Sequence, residues 1–317
     1  MPRILASLAA AAALGLAALP AAAADKLSVA LDWFVNPDHA PLVVARDKGF
    51  FAKAGLDVEL IAPADPAAPP RLVAAGQADI AISYQPSLHM AVAENLPLVR
   101  FGTLVETPLN TVIVLADGPV KTLKDLKGRK VGYSVSGFED AVLGAMLESV
   151  GLSLKDVELI NVNFALTAAL SAGQVDAVVG GYRNFELTEL DLAGKKGRAF
   201  FPEEAGVPPY DELIYVARRD RAADPKLGRF VEAVEAATLW LTNNPDEAWA
   251  VFRKADPKLD DELNRRAFFD TLARFAKRPA ALDANRYTRF AAFLKAKKLI
   301  DTIPPLDSYA VVPKMPN

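Results

Sequence analysis

LVAAGQADIAISY (72–84) and ALSAGQVDAVVGGY (169–182) follow the same plan in two places. Each is a helix end, a glycine in position to cap it, a polar turn with an aspartate, and a short apolar run that reads as a buried strand. Two unlike halves built on one plan account for the echo, although Ala-rich sequence also yields such likeness by chance. Before the first copy, KLSVALDW (26–33) alternates apolar and polar as a strand does. A helical stretch then runs to about Ala54, DVELIAP (57–63) is a strand, and a short helix ends at Gly76. A helix and the strand LVRFGTLV (98–105) follow the first copy.

The alternation restarts after Pro119. KTLKDLKGRKVGYSV gives a polar turn and a strand at 130–135, followed by a helix from Phe138 to Val150 and the strand VELINVN (157–163). A short helix to Gly173 leads into the second copy. This order predicts an α/β protein with mostly parallel sheet covered on both faces. From Asp224 onward the pattern is all helical, with Pro245 at a helix start and further helices over 259–276 and 283–298. Trp240 and Trp249 fall on apolar helix faces and read as core. The tail LDSYAVVPKMPN reads as extended.

Pro- and Gly-bearing stretches at 107–119 and 202–211 set the middle block apart. They predict a discontinuous first lobe, 25–112 plus 214–317, and a second lobe, 113–213. LNTVIVLAD and DELIYVARR cross between them as the hinge. A chain of this length is too large for one comfortable core, which also favours two lobes.

The first residues carry Arg3, an apolar run from Ile4, and Ala22-Ala23-Ala24. That is the pattern of a cleaved secretory signal over 1–24. No later stretch is long and apolar enough to span a bilayer, so no membrane insertion of the mature chain is expected. The net charge is −3 with acids and bases interspersed, which gives no basic stripe for nucleic acid. There is no cysteine, so disulfides, thiolate metal sites, a cysteine nucleophile and a lipid-modified cysteine anchor are all excluded. Two histidines, His39 and His89, are too few for a metal cluster or a histidine-based triad. These features point to a free protein of the periplasm.

LDWFVNPDHAPL, GFFAKAGLDVEL, LVAAGQADIAISYQP, DLKGRKVGYSVSGFEDA, VNFALTAALSAGQVDAVVGGYRNFE and PEEAGVPPYDELIYVA occur in that order. Together they resemble the thiamine-pyrimidine precursor family of periplasmic binding proteins, relatives of the fungal pyrimidine synthases. The resemblance implies a two-lobed periplasmic-binding-protein fold of type II with two crossing hinge strands. It implies delivery of N-formyl-4-amino-5-aminomethyl-2-methylpyrimidine, or a hydroxymethylpyrimidine-like relative, to the permease of an ABC transporter. The synthases carry a lysine for pyridoxal phosphate and a histidine that donates ring atoms. Those positions correspond to Ser83 and Ser87, and the synthases' cysteine cluster corresponds to PPYDE here. Serine forms no Schiff base and supplies no imidazole. The departures favour a binder over an enzyme and predict no cofactor.

The candidate ligand-binding residues sit at strand ends, where open α/β sheets bind ligands. Asp32 and Trp33 close the first strand, and the tryptophan offers a stacking face for a flat heteroaromatic ring. Asp38 lies in the following turn, where it either contacts ligand or caps the next helix. Tyr84 and Gln85 end the strand of the first copy, and Tyr182, Asn184 and Glu186 follow the second. Arg183 reads as a partner for Glu186, three residues on. Gly137, Phe138 and Glu139 open the helix after the strand at 130–135, where N–H groups and a carboxylate meet. A binder of sulfonate, nitrate or a flavin precursor is the rival within the same fold. An anion site should gather Arg and Lys, yet these strand ends offer Asp32, Glu139 and Glu186 against Arg183 alone.

Overall fold

The computed structural model describes residues 23–316. The expected signal segment lies outside the described residues except for its last two positions. The strands are β1 (Asp25–Ala30), β2 (Leu56–Ile61), β3 (Ile80–Ser83), β4 (Leu98–Val105), β5 (Asn110–Leu115), β6 (Lys130–Tyr133), β7 (Glu158–Asn161), β8 (Ala177–Tyr182), β9 (Gly197–Phe200) and β10 (Leu213–Arg218). They form two five-stranded sheets, ordered β2-β1-β3-β10-β4 and β7-β6-β8-β5-β9. In the first sheet β1, β2 and β3 run parallel, and β10 lies antiparallel between β3 and β4. In the second, β6, β7 and β8 run parallel, and β5 lies antiparallel between β8 and β9. Each sheet therefore holds one antiparallel strand, and in the first sheet that strand, β10, arrives from beyond the whole middle block. A boundary between residues 112 and 113 would cut β5, which lies whole in the second sheet.

The helices are α1 (Ala40–Asp47), α2 (Phe50–Lys53), α3 (Pro69–Ala74), α4 (Gln85–Ala93), α5 (Phe138–Glu148), α6 (Leu166–Ser171), α7 (Glu186–Leu192), α8 (Pro225–Asn243), α9 (Pro245–Phe252), α10 (Glu262–Thr271) and α11 (Ala284–Ala296). Among the described residues, no helix is long and apolar enough to cross a membrane. In α8, Leu227, Phe230, Val231, Val234, Ala237 and Leu241 are buried at spacings of three and four. This stripe packs on α1, α2 and β2. Phe230 stacks on Phe51 with ring centroids 5.2 Å apart, and burying such a ring contributes about 1.5–3 kcal/mol.

The two copies of the repeated stretch are equivalent down to hydrogen bonds. Gly76 and Gly173 follow α3 and α6 at φ +72° and +70°, a region glycine enters without steric penalty. The next N–H in each case reaches back five residues, Gln77 to the Leu72 carbonyl at 2.8 Å and Gln174 to the Ala169 carbonyl at 3.0 Å. The aspartate of each copy then holds the neighbouring parallel strand. Asp79 accepts from the Ser28 N–H at 2.9 Å, and Asp176 accepts from the Lys130 N–H at 3.0 Å. These shared devices place β3 and β8 beside β1 and β6, with their carboxyl ends aimed at the same space.

One local expectation differs, one strand went unforeseen, and the two helix-face tryptophans pack on the core as read. The helix expected to Ala276 stops at Thr271, because Phe275 bridges Val105 and the Ala276 N–H bonds the Leu104 carbonyl. β9 pairs with β5 although its stretch GRAF carries little apolar signal. Gly197 allows close packing there, since a Cβ would fall within 3.0 Å of the Leu187 and Leu190 methyls and push them aside. Trp240 and Trp249 are half-buried at the edge of the main core, Trp249 against Phe252 and Phe268. The crossings are tied by Glu212, whose carboxylate accepts from the Leu109 N–H and, at 2.9 Å, from the Asn110 N–H.

Candidate functional site

The carboxyl ends of the parallel strands from both sheets meet around one pocket. Its walls are Asp32, Trp33, Asn36, Asp38 and Tyr84 from the first half, and Phe138, Glu139, Leu166, Gly180, Tyr182, Phe185 and Glu186 from the second. The cavity between them is small, about 30 Å³, and partly open to solvent. Trp33 packs edge-on to Phe164, with centroids 4.6 Å apart and planes at 70°. Tyr84 stacks on Phe138 at 4.9 Å and 23°. Aromatic surfaces therefore face the gap from both sides.

Four carboxylates line this space, the two aspartates held by side chains and the two glutamates by backbone N–H groups. Asp32 is bound at both oxygens, by His39 Nε2 at 2.8 Å and by the Tyr84 hydroxyl at 3.0 Å. His39 Nδ1 faces the Asn36 N–H at 3.4 Å. A ring that accepts at Nδ1 carries its proton on Nε2 and donates it to Asp32. Asp38 receives Asn184 Nδ2 at 2.7 Å and Thr271 Oγ1 at 3.1 Å, both on Oδ1. Its Oδ2 is buried with no partner. Burial raises the Asp38 pKa to about 6, against the opposing Asn184 hydrogen bond.

Glu139 and Glu186 mirror one another at the starts of α5 and α7. Each folds its carboxylate back onto the strand that precedes its helix. Glu139 Oε2 accepts from the Ser134 N–H at 2.7 Å, and Glu186 Oε2 from the Tyr182 N–H at 2.6 Å. Burial pushes both up to about 8, opposed by those backbone donors. Gly180, at φ +94°, makes room for Glu139, since a Cβ there would overlap the carboxylate. The Tyr182 hydroxyl is also buried without a partner. Among the described residues the pocket lining contains no Lys, Arg or His. Such a surface can stack a flat ring and accept hydrogen bonds from an amine or a protonated ring nitrogen.

The family description "NMT1/THI5 like" matches residues 36–248. The chain belongs to the NMT1/THI5-like family. This NMT1/THI5-like chain is 54% identical over 294 residues to a Haemophilus influenzae protein named for thiamine biosynthesis, covering 92% of this chain and 94% of that one. It is 37% identical over 230 residues to the formylaminopyrimidine-binding protein of Halalkalibacterium halodurans, covering 71% and 69%. The alkanesulfonate-binding protein of Xanthomonas axonopodis pv. citri, solved with MOPS, superposes with a TM-score of 0.71 at 18% identity, covering 92% of this chain and all of that one. The fold is that of type II periplasmic binding proteins.

Of the expected ligand residues, Asp32, Trp33, Asp38, Tyr84, Phe138, Glu139, Tyr182 and Glu186 line the pocket of this NMT1/THI5-like protein. Three do not. Gln85 turns away, accepting from the Asp211 N–H at 2.8 Å and meeting His89 at 3.2 Å. Gly137 lines a neighbouring cavity with Ser136, Ser87 and Arg71. Asn184 stands behind the wall and acts through Asp38. Two further readings are corrected. Asn36, not Asp38, caps the turn, accepting from the Asp38 N–H at 2.9 Å. Arg183 pairs with Glu203 at 2.7 Å and lies over Phe201, leaving Glu186 to the pocket. Asn36, Leu166, Gly180 and Phe185 complete the lining, and His39 supports it from behind. The paired glycines of VVGGY were the one sequence sign of the close approach at Gly180.

Proposed function

We propose that this chain is the solute-binding protein of an ABC importer and carries a thiamine pyrimidine precursor in its interlobe pocket. The ligand is N-formyl-4-amino-5-aminomethyl-2-methylpyrimidine or a hydroxymethylpyrimidine-like relative. The observation that carries this is a lining of aromatic faces and carboxylates without a basic side chain. The family and the relative named for formylaminopyrimidine binding support it. In this reading β1–β4 and β10 with the C-terminal helices form one lobe and β5–β9 with their helices form the other. They close on the ligand by rotation about the two crossings, and the closed form is what the permease recognises in the periplasm. A micromolar dissociation constant needs about 8 kcal/mol. Ring burial, stacking and several hydrogen bonds can supply that after ordering costs.

A synthase of the fungal type is disfavoured by residue chemistry. Ser83 is buried in β3 and Ser87 sits on α4, and neither supplies an amine or an imidazole. A sulfonate or nitrate binder is disfavoured by the lining, which would set four carboxylates around an anion. Mass spectrometry of the gently purified protein should reveal a copurifying aminopyrimidine. Titration of the emptied protein should give micromolar or tighter binding, weakened at least tenfold by Trp33→Ala. No heat with any aminopyrimidine, or normal binding by the Trp33 variant, overturns the assignment.

A further inference from the structure

Asn184 joins the two lobes at a buried point behind the pocket wall. It stands between β8 and α7, in the lobe of the second sheet. Its Nδ2 donates to Asp38 Oδ1 at 2.7 Å and to Thr271 Oγ1 at 2.7 Å. Asp38 lies in the turn before α1 and Thr271 ends α10, both in the lobe of the first sheet. Thr271 Oγ1 is also 3.1 Å from Asp38 Oδ1, so the three side chains close a triangle. Asn184 is 3% exposed, Asp38 1% and Thr271 0%. A hydrogen bond to an ionised group is roughly twice as strong as a neutral one, and burial keeps water from competing for it.

Two surface ion pairs also join the lobes. Arg266 on α10 meets Asp191 on α7 at 2.9 Å, and Lys297 after α11 meets Glu148 on α5 at 2.6 Å. These side chains are largely open to water, where such pairs contribute little. The Asn184 triangle is therefore the contact with weight. It also touches the ligand space through Asp38, which lines the pocket. The bridge uses Oδ1, while Oδ2 is buried without a partner. One carboxylate thus faces the ligand with one oxygen and the opposite lobe with the other. The cavity beside it is small, about 30 Å³, which fits lobes already drawn together.

Resting on the binding-protein reading above, we infer that Asn184 is the latch of the closed form, a positioning residue that couples a donor on Asp38 to closure of the lobes without touching the ligand. Rotation about the crossings pulls the Asn184 amide away from Asp38 and Thr271 together. The exocyclic amine of an aminopyrimidine, donating to Oδ2, fixes the plane of the carboxylate and with it the Oδ1 that the amide must find. The coupling is reciprocal, so the latch tightens binding by raising the share of the competent closed form. Its loss weakens binding chiefly by speeding release.

The chain has no cysteine, so nitroxide labels at Glu232→Cys and Lys124→Cys, exposed positions in the two lobes, report their separation cleanly. Pulsed dipolar distances are recorded with and without N-formyl-4-amino-5-aminomethyl-2-methylpyrimidine, beside stopped-flow binding to the unlabelled protein. Asn184→Leu should lose at least half of the closed population. It should raise the dissociation constant at least tenfold, most of it in the off-rate. Thr271→Val, which breaks the triangle from the other lobe, should act in the same direction. The double variant should exceed the worse single variant by less than twofold. Arg266→Met, which cuts only a surface pair, should change neither distance nor rate. Wild-type distances and off-rates in both latch variants, or an equal loss in Arg266→Met, overturn the inference. If the wild type binds no pyrimidine, the ligand reading fails and the ligand-free distances still decide the latch. A longer separation in Asn184→Leu then supports it, and identical distributions overturn it.

Discussion

Replacing Glu186 by Gln should stabilise the ligand-free protein, and only at neutral to alkaline pH. Glu186 is 8% exposed, with its carboxylate on the Tyr182 N–H at 2.6 Å and its pKa raised from 4.5 to about 8. Below about pH 4.5 the carboxyl is protonated in folded and unfolded chains alike, so it adds no pH dependence. Between 4.5 and 8 the unfolded chain ionises it while the folded chain resists, and wild type loses stability as pH rises. Above 8 both forms are ionised and the loss is complete. At about 1.4 kcal/mol for each pH unit, the full shift sets a ceiling of about 5 kcal/mol. A third of that, about 1.5 kcal/mol, raises the melting temperature by about 3–6 °C. Gln keeps an acceptor for the Tyr182 N–H and never ionises, so it removes the penalty without removing the bond. Differential scanning fluorimetry of ligand-free wild type and variant at pH 5 and pH 8.5 measures the difference. The variant should gain several degrees at pH 8.5 and little at pH 5. A variant no more stable than wild type at pH 8.5, or equally stabilised at both pH values, refutes the argument.

Two further substitutions test other parts of the structure. Gly180→Ala should lower pyrimidine affinity at least tenfold in a titration, because a Cβ there overlaps the Glu139 carboxylate and displaces it from the wall. Arg100→Met should lower stability by about 2–4 kcal/mol in urea unfolding. It would strip donors from Thr103 and from the Pro279, Ala280, Ala281 and Val311 carbonyls, all served by one fully buried guanidinium.

The repeated stretch was legible because its signals are local. A glycine after a helix, an aspartate three residues later and an apolar strand need only neighbours in the chain, and the structure repeats the glycine conformation and the aspartate-to-strand bond. β4 was legible in full for the same reason, as a mainly apolar run interrupted by Arg100 and Thr103 in a fully buried strand. The wall residues followed from strand ends, since the carboxyl ends of parallel strands converge wherever both sheets share a topology. Side-chain direction at helix starts was not legible. Gln85 is drawn off by Asp211, and Asp38 is held by Asn184 and Thr271, all far along the chain. Adjacent positions such as Tyr84 and Gln85 therefore face opposite ways for reasons no local pattern carries. Arg183 was misassigned because sequence offers Glu186 at helical spacing, whereas burial claims Glu186 and leaves Glu203 for the guanidinium.

The placement of β10 has a kinetic consequence. Among the described residues β4 finds its strand partner only in β10, at the far side of the whole middle block, with smaller ties at Phe275 and Ala310 later still. The second sheet closes within one uninterrupted stretch of chain, from β5 to β9. A polypeptide emerging from its amino end can thus complete the second half first. The first half must keep β4 unpaired until most of the chain has been made, and such distant closure is slow and exposes an apolar edge. Assembly should proceed from the middle outward, with the pocket completed in the final step.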